Sequence, residues 1–139
     1  MKLRMKALAA SMAVGTLFGA FAAQAQAQAP TEQYIPLFTY RTGSFAPLGI
    51  PWADGKIDYL RLVNARDGGV NGVPLKFEEC ETAYATDRGV ECYERMKGAN
   101  GGASGFDSQS TGITFAVSDK APIDKVSIET VGYGLSQSV

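Results

Sequence analysis

The chain has 139 residues, the length of one domain, of which 45% are hydrophobic and 19% are charged. Residues 1–30 contain three charges, all basic, so the rest of the chain has ten basic residues against fourteen acidic ones, a charge of −4. This acidic balance argues against a nucleic-acid-binding surface, which requires clustered Lys and Arg. Histidine is absent, which excludes Ser-His-Asp and Cys-His nucleophiles, histidine general bases and most zinc sites.

Residues 1–29 have the pattern of a secretory signal peptide. Three basic residues precede an apolar stretch from about residue 7 to residue 23, and three overlapping Ala-x-Ala cleavage sites follow it. The alternative is a membrane anchor, although the stretch is at the short end of what spans a bilayer. No Cys stands directly after this stretch, which argues against a lipid anchor. We therefore expect cleavage and a periplasmic mature domain, residues 30–139.

Two cysteines, Cys80 and Cys92, lie in the predicted mature domain. An exported protein meets an oxidising environment, so the pattern favours a disulfide between them. The separation of twelve residues does not fit a metal-binding knuckle. Two unpaired thiols are the alternative, because the sequence does not show whether the Cα atoms come within bridging range.

The first predicted strand, residues 34–40, is rich in aromatic and β-branched side chains, although Pro36 interrupts its pairing or its start. Residues 41–47 are predicted to form a loop. A helix follows over residues 51–67, since Pro51 suits a first turn and apolar side chains recur at helical spacing. A Gly-rich segment then ends this helix.

The second half repeats the alternation of strand and helix. A Gly- and Ser-rich segment before Phe106 is poor strand sequence, yet the alternation requires a strand there. The complete pattern predicts an α/β fold, a parallel sheet with flanking helices and right-handed crossovers. The other predicted elements are strands at 73–80 and 125–131, a helix at 86–97 capped by Thr86 or Asp87 and carrying a buried stripe of Val90, Tyr93 and Met96, and a helix from about Ser110 with Ile113, Ala116 and Val117 on one face.

Ligands of open α/β sheets bind in loops that follow the carboxyl ends of strands. At the start of the third helix, Ser110 or Thr111 would place unpaired backbone N–H groups beside a hydroxyl. This arrangement can bind a small anion such as an α-carboxylate. Gly112 would leave room for the ligand to approach. An ordinary helix cap without a ligand is the alternative, but three loops of this composition favour binding. These loops are residues 42–46, 82–86 and 108–112.

No enzyme motif is present: the sequence lacks a P-loop, a dinucleotide-binding glycine motif after a strand, and a G-x-S-x-G elbow. Glu78, Glu79 and Glu81 form a run at a strand end, which indicates a solvated edge rather than a general acid/base pair. Phe45 and Tyr84 lie in predicted loops, so of the aromatic side chains we expect these two near a site. We expect no enzymatic activity, no cofactor and no metal.

In its order of segments the chain resembles the solute-binding proteins of ABC importers, of the branched-chain amino acid, urea and amide type (type I periplasmic-binding fold). Residues 42–46 match a ligand loop of the form T-G-x-x-A, and residues 68–72 resemble the turn before the second strand. The pair Ser110-Thr111 is similar to the helix-opening pair that grips the ligand carboxylate. The loop with Tyr133 corresponds to a later ligand loop.

The resemblance implies an exported protein that binds an amino acid or a related small amide or carboxylate and presents it to a membrane permease. Family members have two lobes, so residues 30–139 would form an incomplete N-terminal lobe, with a third strand more polar than the family's. The alternatives are a small exported hydrolase-like enzyme using Ser110 or Asp107, and a non-catalytic interaction module. The ligand-binding residues implied by the resemblance and the loops are Ser44, Phe45, Tyr84, Ser110, Thr111 and Tyr133.

Overall fold

A computed structural model describes residues 31–130, which form a sheet of four parallel strands. The predicted signal peptide and Tyr133 lie outside the described residues. The strands are β1 (Gln33–Thr39), β2 (Leu75–Glu81), β3 (Gly105–Asp107) and β4 (Ser127–Glu129), in the order β2-β1-β3-β4. Because all pairs are parallel, the four carboxyl ends meet at the same edge of the sheet.

Helices connect the strands, which confirms the predicted α/β fold. No helix within residues 31–130 is long and apolar enough to cross a membrane. The helices are α1 (Ala46–Asp67), α2 (Thr86–Met96), α3 (Thr111–Ser118) and the short α4 (Ala121–Asp124), and a 3-10 turn covers Ala99–Gly101.

Two apolar clusters cover opposite faces of the sheet, because successive side chains of a strand point to opposite faces. The cluster on the face covered by α1 is the smaller one, and the cluster on the face covered by α2 and α3 is the larger one. The α1 cluster contains Leu37, Ile57, Leu60, Val63 and Leu75. The α2–α3 cluster contains Tyr34, Phe38, Cys80, Cys92, Tyr93, Met96, Ala103, Phe106, Ile113, Val117 and Val126.

Strand β1 is central, although it contains Pro36. Its ladder with β2 runs over the whole strand and includes the pair Pro36 and Glu78. Its ladder with β3 has one pair, Leu37 with Asp107. In a parallel ladder, successive N–H groups point alternately to the two neighbouring strands, so the missing N–H of proline weakens pairing on one side alone.

Helix α1 begins at Ala46, five residues before the predicted start at Pro51. The predicted loop over residues 41–47 therefore ends at Phe45, the N-cap residue. Pro47 occupies the first turn, where a missing N–H costs no hydrogen bond. Pro51 lies inside the helix, so the predicted placement of this proline in the first turn is wrong.

The predicted N-cap residue is wrong for α2 and confirmed for α3. The N-cap of α2 is Ala85, in extended conformation and without a side-chain cap, rather than one of the two residues that follow it. The N-cap of α3 is Ser110, as the sequence indicates. Ala116 is exposed and Thr114 is buried instead, because the Thr114 hydroxyl donates to the Ser110 carbonyl at 2.9 Å.

A disulfide joins Cys80 at the end of β2 to Cys92 in α2, with a Cα–Cα distance of 6.0 Å. This distance is within the usual range for the bond, and the predicted pairing is confirmed. Both cysteines are buried. The disulfide thus attaches the end of β2 to α2, the helix that follows it.

Candidate functional site

The carboxyl edge, defined here as residues 40–45, 82–86 and 108–112, contains the three loops that follow β1, β2 and β3. Parallel strands place these loops side by side, as the sequence predicts. Ser44 is an exposed turn residue in the first loop, beside Phe45. The first two loops are in contact, and the starts of α2 and α3 are neighbours.

Three aromatic rings of the first two loops form a cluster. The Phe45 and Tyr84 ring centroids are 4.5 Å apart, and the Tyr40 and Tyr84 centroids are 5.1 Å apart in an edge-to-face arrangement. Phe45 is 49% exposed, so one side of this aromatic pair faces solvent. Phe45 and Tyr84 thus lie near each other at the carboxyl edge, and their role in a ligand site stays a prediction.

The carboxylate of Glu81 accepts five hydrogen bonds, four from the same two loops and one from the end of β1. Oε2 accepts from the Thr39 hydroxyl at 3.1 Å and from the Arg41 N–H at 2.8 Å. Oε1 accepts from the Thr42 N–H at 3.2 Å, the Thr42 hydroxyl at 2.9 Å and the Ala83 N–H at 3.0 Å. Burial disfavours the charged carboxylate, but these hydrogen bonds outweigh it and lower the pKa of Glu81.

The expectation that the acidic run is a solvated edge is therefore wrong for Glu81. Strand alternation directs Glu79 and Glu81 to the α1 face and Glu78 to the α2 face. Glu79 accepts a hydrogen bond from Arg41 Nε at 2.6 Å, and the partners of the Arg41 guanidinium raise its pKa. Glu79 and Glu81 share the parity of the apolar Leu75, so the strand pattern does not distinguish the half-buried Glu81 from the exposed Glu79.

The second loop has two consecutive residues in left-handed backbone conformation, Ala83 with φ 51° and Tyr84 with φ 63°. Neither is glycine, so the conformation costs about 1–2 kcal/mol at each residue. Hydrogen bonds offset this cost: the Tyr84 N–H donates to the Thr82 hydroxyl at 3.1 Å, and that hydroxyl donates to the Thr39 carbonyl at 2.9 Å. The conformation turns the Tyr84 ring toward the first loop.

At the third loop, neutral hydroxyl groups support the start of α3. The Ser110 hydroxyl accepts a hydrogen bond from the Ile113 N–H at 3.5 Å, and Ser110 is 2% exposed. Ser108 and Thr114 share a hydrogen bond between their hydroxyls at 2.5 Å. Thr111 is half-buried at the first position of the helix, where the backbone N–H lacks an intrahelical partner.

Gly112 lies against the start of α2. A Cβ atom at this position would lie 2.7 Å from the Thr86 Oγ1 atom. The glycine therefore gives room to the start of α2, and its role in ligand approach stays a prediction. Thr86 is exposed. The sequence places it in a hydroxyl-rich loop but does not indicate that its hydroxyl lies beside the start of α3.

An ion pair lies beside the third loop. Lys56 of α1 contacts the Asp107 carboxylate, which also accepts from the Gln109 side-chain amide at 2.7 Å. Asp107 is thus engaged in ordering its own loop. Within residues 31–130 no three potential metal ligands form a cluster.

The sequence profile of the periplasmic binding protein family matches residues 32–132. A crystal structure described as an ABC transporter permease from the Pseudomonas fluorescens group is 39% identical, with a TM-score of 0.72 over 78% of this chain and 27% of that chain. A fatty acid ABC transporter substrate-binding protein from Thermomonospora curvata is 23% identical, with a TM-score of 0.63 over 72% of this chain and 25% of that chain. The chain thus spans about a quarter of each structure. No curated protein matches the sequence.

Proposed function

Because the chain belongs to the periplasmic binding protein family, we propose that it is an exported solute-binding component of an ABC importer. Its ligand is an amino acid or a related small amide or carboxylate, and its partner is a membrane permease. It acts in the periplasm after removal of residues 1–29, and it binds its ligand without chemical change. Residues 30–139 form part of the N-terminal lobe.

The observation that carries this proposal is the proximity of the aromatic pair Phe45 and Tyr84, with centroids 4.5 Å apart, at the same sheet edge as the start of α3. The rings supply an apolar wall that is partly open to solvent. The first turn of α3 supplies N–H groups that favour an anionic group. An apolar wall beside a few polar groups is the usual construction of a small-molecule site.

We assign the ligand contacts to Ser44, Phe45, Tyr84 and Thr111, with Ser110 shaping the helix start through its hydroxyl cap. Tyr133 remains a predicted contact from outside the described residues. One lobe covers a small ligand on one side, so tight binding requires walls from a second lobe. The ligand of the Thermomonospora curvata protein is not transferred to this chain, because 23% identity supports the shared fold alone.

A thermal-shift screen tests the proposal. The panel contains the twenty L-amino acids, urea, acetamide, acetate and octanoate, each up to millimolar concentration. We expect a rise in Tm with an amino acid, urea or acetamide, because a ligand that binds the folded state stabilises it by about 2.7 kcal/mol at a hundred times its Kd. The proposed ligand class is contradicted if octanoate alone raises Tm, or if no compound of the panel raises it.

Two variants locate the binding. Tyr84→Ala should remove the ligand-dependent rise in Tm, because it deletes half of the aromatic wall. The matched control is Tyr59→Ala, an aromatic residue of α1 that is 61% exposed and away from the carboxyl edge, and it should keep the rise. Turnover of any panel compound that is lost in Ser110→Ala would support the enzyme alternative instead.

A further inference from the structure

The hydrogen bonds of Glu81 differ in kind from those of its neighbours in the acidic run. Glu78 accepts from two side chains, Tyr34 at 3.2 Å and Arg95 at 3.1 Å, and Glu79 accepts from the Arg41 guanidinium. Three of the five donors to Glu81 are backbone N–H groups. A carboxylate has about four lone-pair sites, so five donors saturate it and leave no oxygen for a ligand.

These backbone donors come from two separate loops. Arg41 and Thr42 precede the turn that carries Phe45, and Ala83 precedes Tyr84. One rigid acceptor group therefore fixes the spacing between the two chain segments that hold the aromatic pair. It also holds Ala83 at a φ of 51°, a conformation that costs free energy without such support.

We propose that Glu81 is a positioning residue for ligand binding: it touches no ligand, and it sets the aromatic wall of Phe45 and Tyr84 by gathering the N–H groups of both loops. This inference rests on the proposed function. A carboxylate is needed because it has acceptor atoms alone. The amide of glutamine directs an NH2 group at some of the same donors, and aspartate is too short to reach both loops.

The test compares Glu81→Gln with Glu79→Gln. Both variants remove one carboxylate from the end of β2, but Glu79 binds the Arg41 side chain and Glu81 binds the Arg41 backbone. In Glu81→Gln we expect hydrogen exchange at the amides of Arg41, Thr42 and Ala83 to be at least tenfold faster. The near-UV circular dichroism of the tyrosine cluster should fall while the far-UV spectrum stays unchanged. Unchanged exchange at these amides overturns the inference.

Ligand binding by the same variants separates this inference from the proposed function. The probes are the twenty L-amino acids, urea and acetamide, tested one at a time by calorimetry. We expect at least tenfold weaker binding to Glu81→Gln and unchanged binding to Glu79→Gln. Equal binding to both variants overturns the positioning role and leaves the proposed function intact. If the unsubstituted protein binds no probe while amide exchange is faster in Glu81→Gln, the result contradicts the proposed function. It then also overturns the role of Glu81 in ligand binding.

A milder variant keeps the test valid if Glu81→Gln does not fold. Thr42→Val removes one hydroxyl donor, at 2.9 Å from Glu81 Oε1, and retains the carboxylate and the N–H groups. We expect a severalfold loss of binding and faster exchange at the Thr42 amide. Glu81→Asp keeps the carboxylate but is too short to reach both loops, so its near-UV signal should fall as in Glu81→Gln; an unchanged signal overturns the positioning role.

Discussion

At the β1–β2 half of the carboxyl edge an ionised carboxylate, Glu81, accepts four hydrogen bonds from two loops and a fifth from the end of β1. At the α3 half, the hydroxyls of Ser108, Ser110 and Thr114 bind one another and the backbone. The first half carries two residues in left-handed backbone conformation, Ala83 and Tyr84, and the exposed ring of Phe45, whereas the second half has one such residue, Gln109. The second half is buried and ends in a capped helix. The second half also contains a carboxylate, Asp107, which binds Lys56 of α1 and the Gln109 side chain of its own loop. The difference is that Glu81 accepts from backbone N–H groups of two separate loops, whereas Asp107 and the hydroxyls hold one chain segment and its contact with α1.

The disulfide belongs to the β1–β2 half, and its reduction should have the largest effect on it. Closing a loop of twelve residues stabilises the folded state by about 3 kcal/mol through the unfolded chain. Urea unfolding with and without dithiothreitol measures this difference. Amide exchange should increase more for Ala83 than for Thr114, and an unchanged urea midpoint after verified reduction would contradict the prediction.

A methyl group added at Gly49 should also disturb the β1–β2 half. A Cβ atom there would overlap the carbonyl oxygen and the ring of Tyr40, and overpacking against backbone costs about 2 to 3 kcal/mol. The matched control is Gly55→Ala in the same helix, where the added Cβ meets no atom within 4 Å. That control should raise stability by up to about 1 kcal/mol, and denaturant unfolding of both variants checks the contrast.

Glu81 should make the stability of the domain depend on pH. Its pKa is lower in the folded protein than its ordinary value of 4.5, so its stabilisation is present above that value and is lost as the pH falls through the folded-state pKa. At pH 7 we expect Glu81→Gln to cost about 2 kcal/mol, because hydrogen bonds to a charged group are lost. The difference from the unsubstituted protein should shrink below pH 4.5; a difference that stays constant from pH 7 to pH 3 would refute the prediction.

Ser108→Ala should have the smallest effect of the four changes. The hydroxyl of Thr114 keeps its bond to the Ser110 carbonyl at 2.9 Å, so no buried donor loses its last partner. We expect a cost of at most about 1 kcal/mol, equal at pH 7 and pH 4.5 because no ionised group is removed. Thermal unfolding at the two pH values measures it, and a pH-dependent cost would place this hydroxyl in an ionic network.

Much of the fold follows from sequence patterns that are local. The alternation of strands and helices, the parallel sheet and the pairing of Cys80 with Cys92 were all predicted. Helix starts were less predictable, since Pro47 and Pro51 are both compatible with a first turn and the choice depends on how the preceding loop packs. The burial of Thr114 in place of Ala116 depends on a hydrogen bond to Ser110, which apolar spacing does not reveal.

The sequence by itself determined that Phe45, Tyr84, Ser110 and Thr111 belong to loops at one edge of a parallel sheet, because that follows from the order of elements. Only the tertiary structure decided that Phe45 contacts Tyr84, that Gly112 gives room to Thr86, and that Glu81 is enclosed by loop amides. The physical reason is that periodicity encodes which face a side chain occupies. The donors and rings that a side chain contacts on that face come from segments about 40 residues apart in the chain. The register of β1 with β2 brings these segments together.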